Sequence, residues 1–309
     1  MIRRIIILFF SLVAATPLLH AQGLDEALNQ YKGKVLVLRH PLQSNSQQYD
    51  SAGQPMTNAA DGPWTVYSGV LIEKTKLTSD SLRIEGRRVL FEFMNGQITT
   101  LDFELIKNRK APPFAPEVKL EIQASHVHDA ADVNAALNRV FDMSTADLLD
   151  SVPEFWREYL RERIVYDPSA PRAQEFSWHE PAPTRTGLQP LHTGLQPSTA
   201  GIEIRTDDDQ NIKAIYHVGA EVKAPRPLST PEPEFSQTAR YERFQGVVVL
   251  KLVVAKDGSV HYVQLVRPRG LGLDEQAEAR IKTWRFSPAT RNGEPVSVEM
   301  NVEVAFNLY

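Results

Sequence analysis

The chain of 309 residues contains no cysteine, so it can form neither a disulfide nor a lipid-modified N-terminal cysteine, and burial alone must stabilise its folds. It also has no long run of one charge, and its formal net charge is only -4. A nucleic-acid-binding surface needs clustered Lys and Arg, so no nucleic-acid partner is expected. The HExxH, GxSxG, P-loop and dinucleotide-binding glycine patterns are missing too. We therefore predict a protein that is not an enzyme and takes no cofactor or metal.

The N-terminus has the layout of a secretory signal. Arg3 and Arg4 precede an apolar run from Ile5 to Leu19, and Ala21 offers a cleavage site. The run is short for a bilayer span, which needs about 20 residues. We predict a signal peptide over residues 1–21 and an exported body in the periplasm. The alternative is an uncleaved signal anchor that tethers the protein to the inner membrane through residues 5–19.

The length favours two domains. Over residues 22–166 strand patterns come first and helix patterns follow, which predicts an α+β domain of unknown function. Asp129 is expected to cap one helix, and Ser151 and Glu154 have the spacing of a capping box for another. Proline recurs over residues 167–201, which predicts an extended linker. We predict an α+β fold of two domains, each an antiparallel sheet with helices on one face.

The second predicted domain, residues 202–309, reads as hairpin, helix and strand. Two β-branched runs flank Asp257-Gly258, which predicts a two-residue turn. The register expected from that turn pairs Val254 with His261, Leu252 with Val263, Leu250 with Leu265, and Lys251 with Gln264. In the helix that follows, apolar residues recur on one face, and these are Leu273, Ala277, Ile281 and Trp284.

The last strand alternates apolar and polar residues without a break. Its apolar set is Val296, Val298, Met300, Val302, Val304, Phe306 and Leu308. A strand that is paired on one side only leaves a row of free backbone N–H and C=O groups, which invites another strand. The sequence therefore predicts a binding edge along Val296 to Leu308.

Residues Val222 to Tyr309 resemble the C-terminal domain of TonB-family energy transducers. The residues that carry the resemblance are Pro233 to Phe235 with Ala239, Gly246 at a strand start, the Asp257-Gly258 turn, Gly272-Leu273-Asp274, Trp284-Arg285-Phe286 with Pro288, and Gly293 before Pro295-Val296. They agree with the family in order as well as in content. The resemblance implies a TonB-like hairpin, helix and strand domain.

The resemblance also implies a binding function. Family members pair the last strand of this domain with the TonB box, a short peptide of an outer-membrane transporter, and pass on energy from an inner-membrane ExbB-ExbD motor. For this chain it implies β-augmentation at Val296 to Leu308 in support of energy-dependent transmembrane transport. A motor of the ExbB-ExbD kind would be a partner if the signal is retained. A homodimer through the last strand is the competing use of the same edge.

Two alternatives stay open. The first is a soluble periplasmic adaptor that binds without transducing energy, and a mature chain that begins at Gln22 would favour it. The second is an enzyme in the N-terminal domain that uses His126 and His128 as metal ligands. Because no further ligands are evident beside these histidines, a pair of surface histidines is the simpler interpretation.

Overall fold

The computed structural model describes residues 16–95, 97–102, 116–124, 127–179, 215–219 and 221–308. The predicted signal segment lies mostly outside this part of the chain. Helix α1, Thr16–Asn29, begins near the end of the predicted signal segment. The side chains of this helix are described from Gly23 onward. The described residues form two mixed sheets with helices packed on them, so the predicted α+β class is confirmed.

The N-terminal unit is built on a seven-stranded sheet. After α1 its elements are β1 Val35–Leu38, β2 Ser46–Tyr49, α2 Trp64–Tyr67, β3 Gly69–Leu77, β4 Ser81–Met94, β5 Gln97–Asp102, β6 Glu117–Gln123, α3 Ala130–Val140, β7 Phe141–Asp142, α4 Thr145–Ser151, α5 Glu154–Arg161, β8 Ile164–Tyr166 and β9 Phe176–Trp178. The strand order is β2-β6-β4-β3-β1-β7, and β5 also pairs with β4. Strands β2 and β6 run parallel, so the expectation of a purely antiparallel sheet was wrong.

Helices cover both faces of this sheet, where one face was expected. All four residues of β1 are buried, as a continuous apolar run requires. Leu36 and Leu38 pack in one cluster with α1 and α3, whereas Val35 and Val37 pack in another with α5. The sheet is therefore the middle layer of three.

The helix caps agree with the sequence at one of two positions. The Asp129 carboxylate accepts the Asp132 N–H at 3.0 Å, which confirms the predicted cap of α3. The predicted capping box was wrong. Helix α5 begins after Pro153 without a side-chain cap, and the Ser151 hydroxyl donates to Asp142 Oδ2 at 2.5 Å instead.

The first part of the predicted linker, residues 167–179, is folded onto the N-terminal unit. Strand β9 pairs with β8, so Phe176 and Trp178 lie opposite Tyr166 and Ile164. The buried Glu175 carboxylate accepts the Val35 N–H at 3.1 Å. The remainder of the predicted linker, residues 180–201, lies outside the described residues.

The C-terminal unit contains the predicted hairpin, helix and strand. Its elements are β10 Ile215–His217, β11 Val222–Lys223, β12 Arg226–Ser229, α6 Gln237–Glu242, β13 Gly246–Val254, β14 Val260–Arg267, α7 Leu273–Ile281, β15 Arg285–Ser287, β16 Ala289–Arg291 and β17 Glu294–Phe306. The strand order is β11-β16-β17-β13-β14, with β10 also on β17. Leu273, Ala277 and Ile281 are fully buried, which confirms three positions of the apolar face predicted for α7. Trp284, the fourth predicted position, lies beyond the end of the helix and is only partly buried.

The hairpin register differs from the prediction near its turn. Leu250 lies opposite Leu265 and Lys251 opposite Gln264, as predicted, but Val254 lies opposite Val260 rather than His261. The loop has three residues, because the Ala255 N–H donates to the Ser259 carbonyl at 2.9 Å. Gly258 takes the left-handed position of this loop with φ 82°, which is typical of a three-residue hairpin.

Backbone pairing joins the two units. Strand β4 extends beyond β3, and its free edge meets the segment after β14. The Phe93 N–H donates to the Arg269 carbonyl at 2.9 Å, and the Leu271 N–H donates to the Phe91 carbonyl at 3.0 Å. Gly270 lies opposite Glu92 between these two bonds.

Side chains complete the contact between the units. Trp64, Phe93 and Trp156 belong to the same buried cluster as the core of the C-terminal sheet. The Thr65 hydroxyl accepts the Gly272 N–H at 2.9 Å and lies 3.4 Å from the Glu275 carboxylate. Burial raises the pKa of the Glu275 carboxyl. The N-terminal unit is thus docked on the β14 side of the C-terminal sheet, away from β17.

Candidate functional site

The predicted binding strand, β17, is paired along its inner side with β13. The register runs from Gly246 opposite Phe306 to Val254 opposite Val298. The side chains predicted to line the binding edge all alternate onto the face that packs in the core. Val296, Val298, Val302, Val304 and Phe306 are buried, and Met300 and Leu308 are partly buried. A partner on the outer side of β17 would therefore meet mainly main-chain atoms.

The outer side of β17 is partly covered by the chain itself. Strand β16 pairs with Glu294–Val296 and is antiparallel to it. Strand β10 pairs with Ser297–Glu299 and runs parallel to it. From Met300 to Phe306 no strand in the described part of the chain lies on this side. We call Met300–Phe306 the open edge.

The turn before β17 sets the direction of its amides. Asn292 and Gly293 have φ of 52° and 89°, so they form a two-residue turn of the hairpin type. Arg291 and Glu294 flank that turn, and the residues next to such a turn exchange hydrogen bonds. Alternation of the bonding direction from this turn predicts that the even-numbered amides of β17 point away from β13. Pro295 has no backbone N–H. It is at an odd-numbered position, where the backbone nitrogen is not needed for pairing with β16.

On this prediction, the open edge presents four residues with outward N–H and C=O groups, namely Met300, Val302, Val304 and Phe306. The solvent face between them is polar. Asn301 and Glu303 are exposed, and the Glu303 carboxylate lies 3.6 Å from the Arg267 guanidinium. The open edge thus has an unpaired backbone, and its apolar side chains are buried on the core face of the sheet.

Two contacts that sequence patterns did not reveal hold the end of β17. The Phe235 ring packs edge-on against the Phe306 ring, with centroids 5.4 Å apart. The Gln245 side-chain carbonyl accepts the Leu308 N–H at 2.8 Å. Both come from residues far away in the chain, so no local periodicity points to them.

The predicted motif residues shape the hairpin and the helix start. A Cβ on Gly246 would lie 2.4 Å from Arg269 Nε, and one on Gly258 would lie 1.8 Å from the Phe286 carbonyl oxygen. Hydrogen bonds from Ser259 hold the pKa of Asp257 below its usual value. The contacts of Asp257 and Gly258 fix the turn that carries β13 into β14, whereas Gly246 lies at the opposite end of the hairpin.

Asp274 and Trp284 have separate roles in the same unit. The fully buried Asp274 carboxylate accepts the N–H groups of Arg269 and Gly270, at 2.8 and 2.5 Å, and burial raises its pKa well above the usual range. Asp274 therefore braces the segment that pairs with β4. The Trp284 indole N–H donates to the Pro231 carbonyl at 3.1 Å, and its ring lies beside Phe286. Pro288 is half-buried between β15 and β16.

The alternative metal site of the N-terminal unit is only partly described. His126 lies outside the described residues. The Asp132 carboxylate accepts the backbone N–H of His128 at 2.8 Å, and Asp129 caps α3. Among the residues that the structure describes, no group of three or more potential metal ligands comes together.

The aromatic residues of α5 are core residues. Trp156 is fully buried and its ring lies 5.0 Å from that of Phe93 and 5.3 Å from that of Trp64. Burial raises the pKa of Tyr159 to about 12. Where the structure describes the chain, no helix has the length and hydropathy of a membrane-spanning segment.

The comparisons with known proteins concern the C-terminal unit. The family model of the Gram-negative bacterial TonB protein C-terminal domain matches residues 231–308. The solution NMR structure of the Pseudomonas aeruginosa TonB C-terminal domain matches at 18% identity, over 29% of this chain and 92% of that chain, with a TM-score of 0.23. No curated protein matches the chain. The segment from α6 to β17 lies within the residues that match the TonB C-terminal family model, whereas β10, β11 and β12 precede them.

Proposed function

We propose that this chain is an exported TonB-type protein whose open edge, Met300–Phe306, binds an extended peptide of an outer-membrane transporter and so supports energy-dependent transport. The observation that carries the proposal is the outer backbone of β17, which has no strand partner from Met300 onward among the described residues. The family match at residues 231–308 supports the kind of partner. The periplasm is the compartment in which such a peptide would be met.

Main-chain pairing at the open edge is sufficient for a weak grip. Four outward residues offer eight N–H and C=O groups, of which a partner strand would engage about six. At ~0.5 to 1.5 kcal/mol net for each bond, the pairing contributes roughly 3 to 9 kcal/mol. Association costs about 4 to 15 kcal/mol, so side chains of the peptide must add contacts. A reversible complex is expected, as suits a partner that must be released.

The inner face suggests where those added contacts lie. Peptide side chains that point to the α7 side would approach Val302, Val304 and Phe306, next to the Phe235 ring. Those on the other side would lie near Asn301 and Glu303, which are exposed. The proposal thus favours a peptide with apolar residues at alternate positions.

A proline substitution tests the proposal. Val302→Pro removes one outward N–H from the open edge, whereas Val302→Ala keeps it and serves as the matched control. The probes are synthetic peptides that copy the periplasmic N-terminal segments of outer-membrane transporters, titrated against the full chain. We expect Val302→Pro to abolish binding and Val302→Ala to change it by less than about threefold.

Unfolding curves of both variants establish that each is folded. If Val302→Pro binds as well as the unaltered protein, the peptide does not pair with this edge. If the complex instead proves to be a second copy of the chain, the homodimer alternative replaces the proposal.

A further inference from the structure

Strand β10 occupies the same side of β17 that the partner peptide would use. Ile215, Tyr216 and His217 lie beside Ser297, Val298 and Glu299, parallel to β17. The open edge begins at the next residue, Met300. The chain's own strand therefore determines where the open edge starts.

Few contacts hold β10 in place. It pairs with β17 at three positions, whereas β13 pairs with β17 at nine. The Ile215 side chain is buried, the Arg291 guanidinium lies over the Tyr216 ring at 5.3 Å, and His217 is exposed. Arg291 is itself held by Glu221 at 2.9 Å. A short pairing with one buried side chain opens at a much lower free energy than the strand pair beneath it.

We propose that β10 is a displaceable strand that leaves β17 without unfolding of the β13–β17 pair, and that its release lengthens the docking edge from Met300–Phe306 to Ser297–Phe306. Strand β10 lies before the residues that match the TonB family model, so this cover comes from outside the matched segment. A peptide that stops at Met300 binds beside β10, and a longer one must replace it. The observed affinity of the longer peptide is then reduced by the fraction of molecules in which β10 is bound.

The absence of cysteine makes a reversible lock possible. His217 is exposed and lies opposite Glu299 in the register, whereas the Glu299 side chain is only 10% exposed and lies 4.0 Å from the Lys251 ammonium. His217→Cys combined with Glu299→Cys places the only two thiols of the chain side by side. Oxidation fixes β10 on β17, and reduction of the same protein is the matched control. Unfolding curves of both forms establish that the fold is kept.

Amide hydrogen exchange of the full chain gives the readout without any ligand. The alternation predicted from the turn at Asn292 and Gly293 places the Val298 amide toward β10 and the Asn301 and Glu303 amides toward β13. In the reduced form we expect Val298 to exchange at least ~10-fold faster than Asn301 and Glu303, and in the oxidised form to slow to their rate. The proposal is overturned if Val298 exchanges as slowly as Asn301 in the reduced form. It is also overturned if the Val298 amide exchanges as fast in the oxidised form, where the disulfide holds β10 on β17, as it does in the reduced form.

The peptide arm rests on the proposed function and uses the same transporter peptides. A peptide that protects Val298 in the reduced form should bind about tenfold more weakly to the oxidised form. If peptides protect only Met300, Val302 and Val304 and bind both forms equally, displacement by a partner is refuted while the proposed function stands. If no peptide binds but the Val298 amide exchanges fast in the reduced form and slowly in the oxidised form, the proposed function fails and the release of β10 stands.

Discussion

A single methyl group placed at Gly270 should weaken the contact between the two units. Gly270 has φ 89° and lies between the two backbone bonds that join β4 to the segment after β14. A Cβ there would lie 2.3 Å from the Phe91 carbonyl oxygen and 2.6 Å from Glu92 Cα, so Gly270→Ala must push the segment away from β4.

The expected magnitude has two parts. An alanine in the left-handed region costs about 1 to 2 kcal/mol. Loss of the bonds from Phe93 N–H and Leu271 N–H costs about 0.5 to 1.5 kcal/mol each. Together they lower the free energy of unfolding by about 2 to 5 kcal/mol.

Gly293 provides the matched control. It also has φ 89°, but nothing lies within 4 Å of where its Cβ would be. Gly293→Ala should therefore cost only the conformational part, about 1 to 2 kcal/mol. Urea unfolding of the full chain measures both variants. Equal destabilisation by the two substitutions would refute the close approach of β4 to Gly270.

Two further predictions concern the docked units and the N-terminal core. A protease site inserted between residues 185 and 200 should give, after cleavage, two fragments that still co-elute in gel filtration. The pairing of β4 with Arg269–Leu271 and the shared buried cluster should hold the two units together, so separate elution would contradict their docking. Burial raises the pKa of Asp142 to about 6, so the folded state binds its proton more tightly than the unfolded state, and this group's contribution to stability is lost as the pH rises from 4 to 7. Asp142→Asn should remove that loss, and the difference in unfolding free energy from the unaltered protein should shift by about 2 to 3 kcal/mol in favour of the variant across this range. A shift of the opposite sign would show that the carboxylate form is the stabilised one.

The parts of the fold that depend on local periodicity could be predicted from the sequence. The alternation in β17 and the four-residue spacing in α7 each define one buried face, and both faces are found. The hairpin was predicted but its loop was one residue too short. The Asp257-Gly258 pair suits a two-residue turn as well as it suits the end of a three-residue loop, and the contact of Gly258 with the distant Phe286 backbone is not visible in this local pattern.

The parts that depend on distant pairing could not be predicted. A strand signal at Ile215–His217 does not reveal that this strand runs parallel to β17 and covers Ser297–Glu299. In the same way, the length of β4 does not show that its last residues pair with Arg269–Leu271. Both contacts are backbone contacts between segments far apart in sequence, and side-chain patterns carry little information about them.

The most direct test of the central claim is amide exchange of the isotope-labelled full chain with and without a transporter peptide. We expect the peptide to protect the amides of Met300, Val302 and Val304, which are predicted to point outward, while Asn301 and Glu303, whose amides are predicted to face β13, keep their rates. Protection confined to other strands, with the amides of the open edge unchanged, would contradict it.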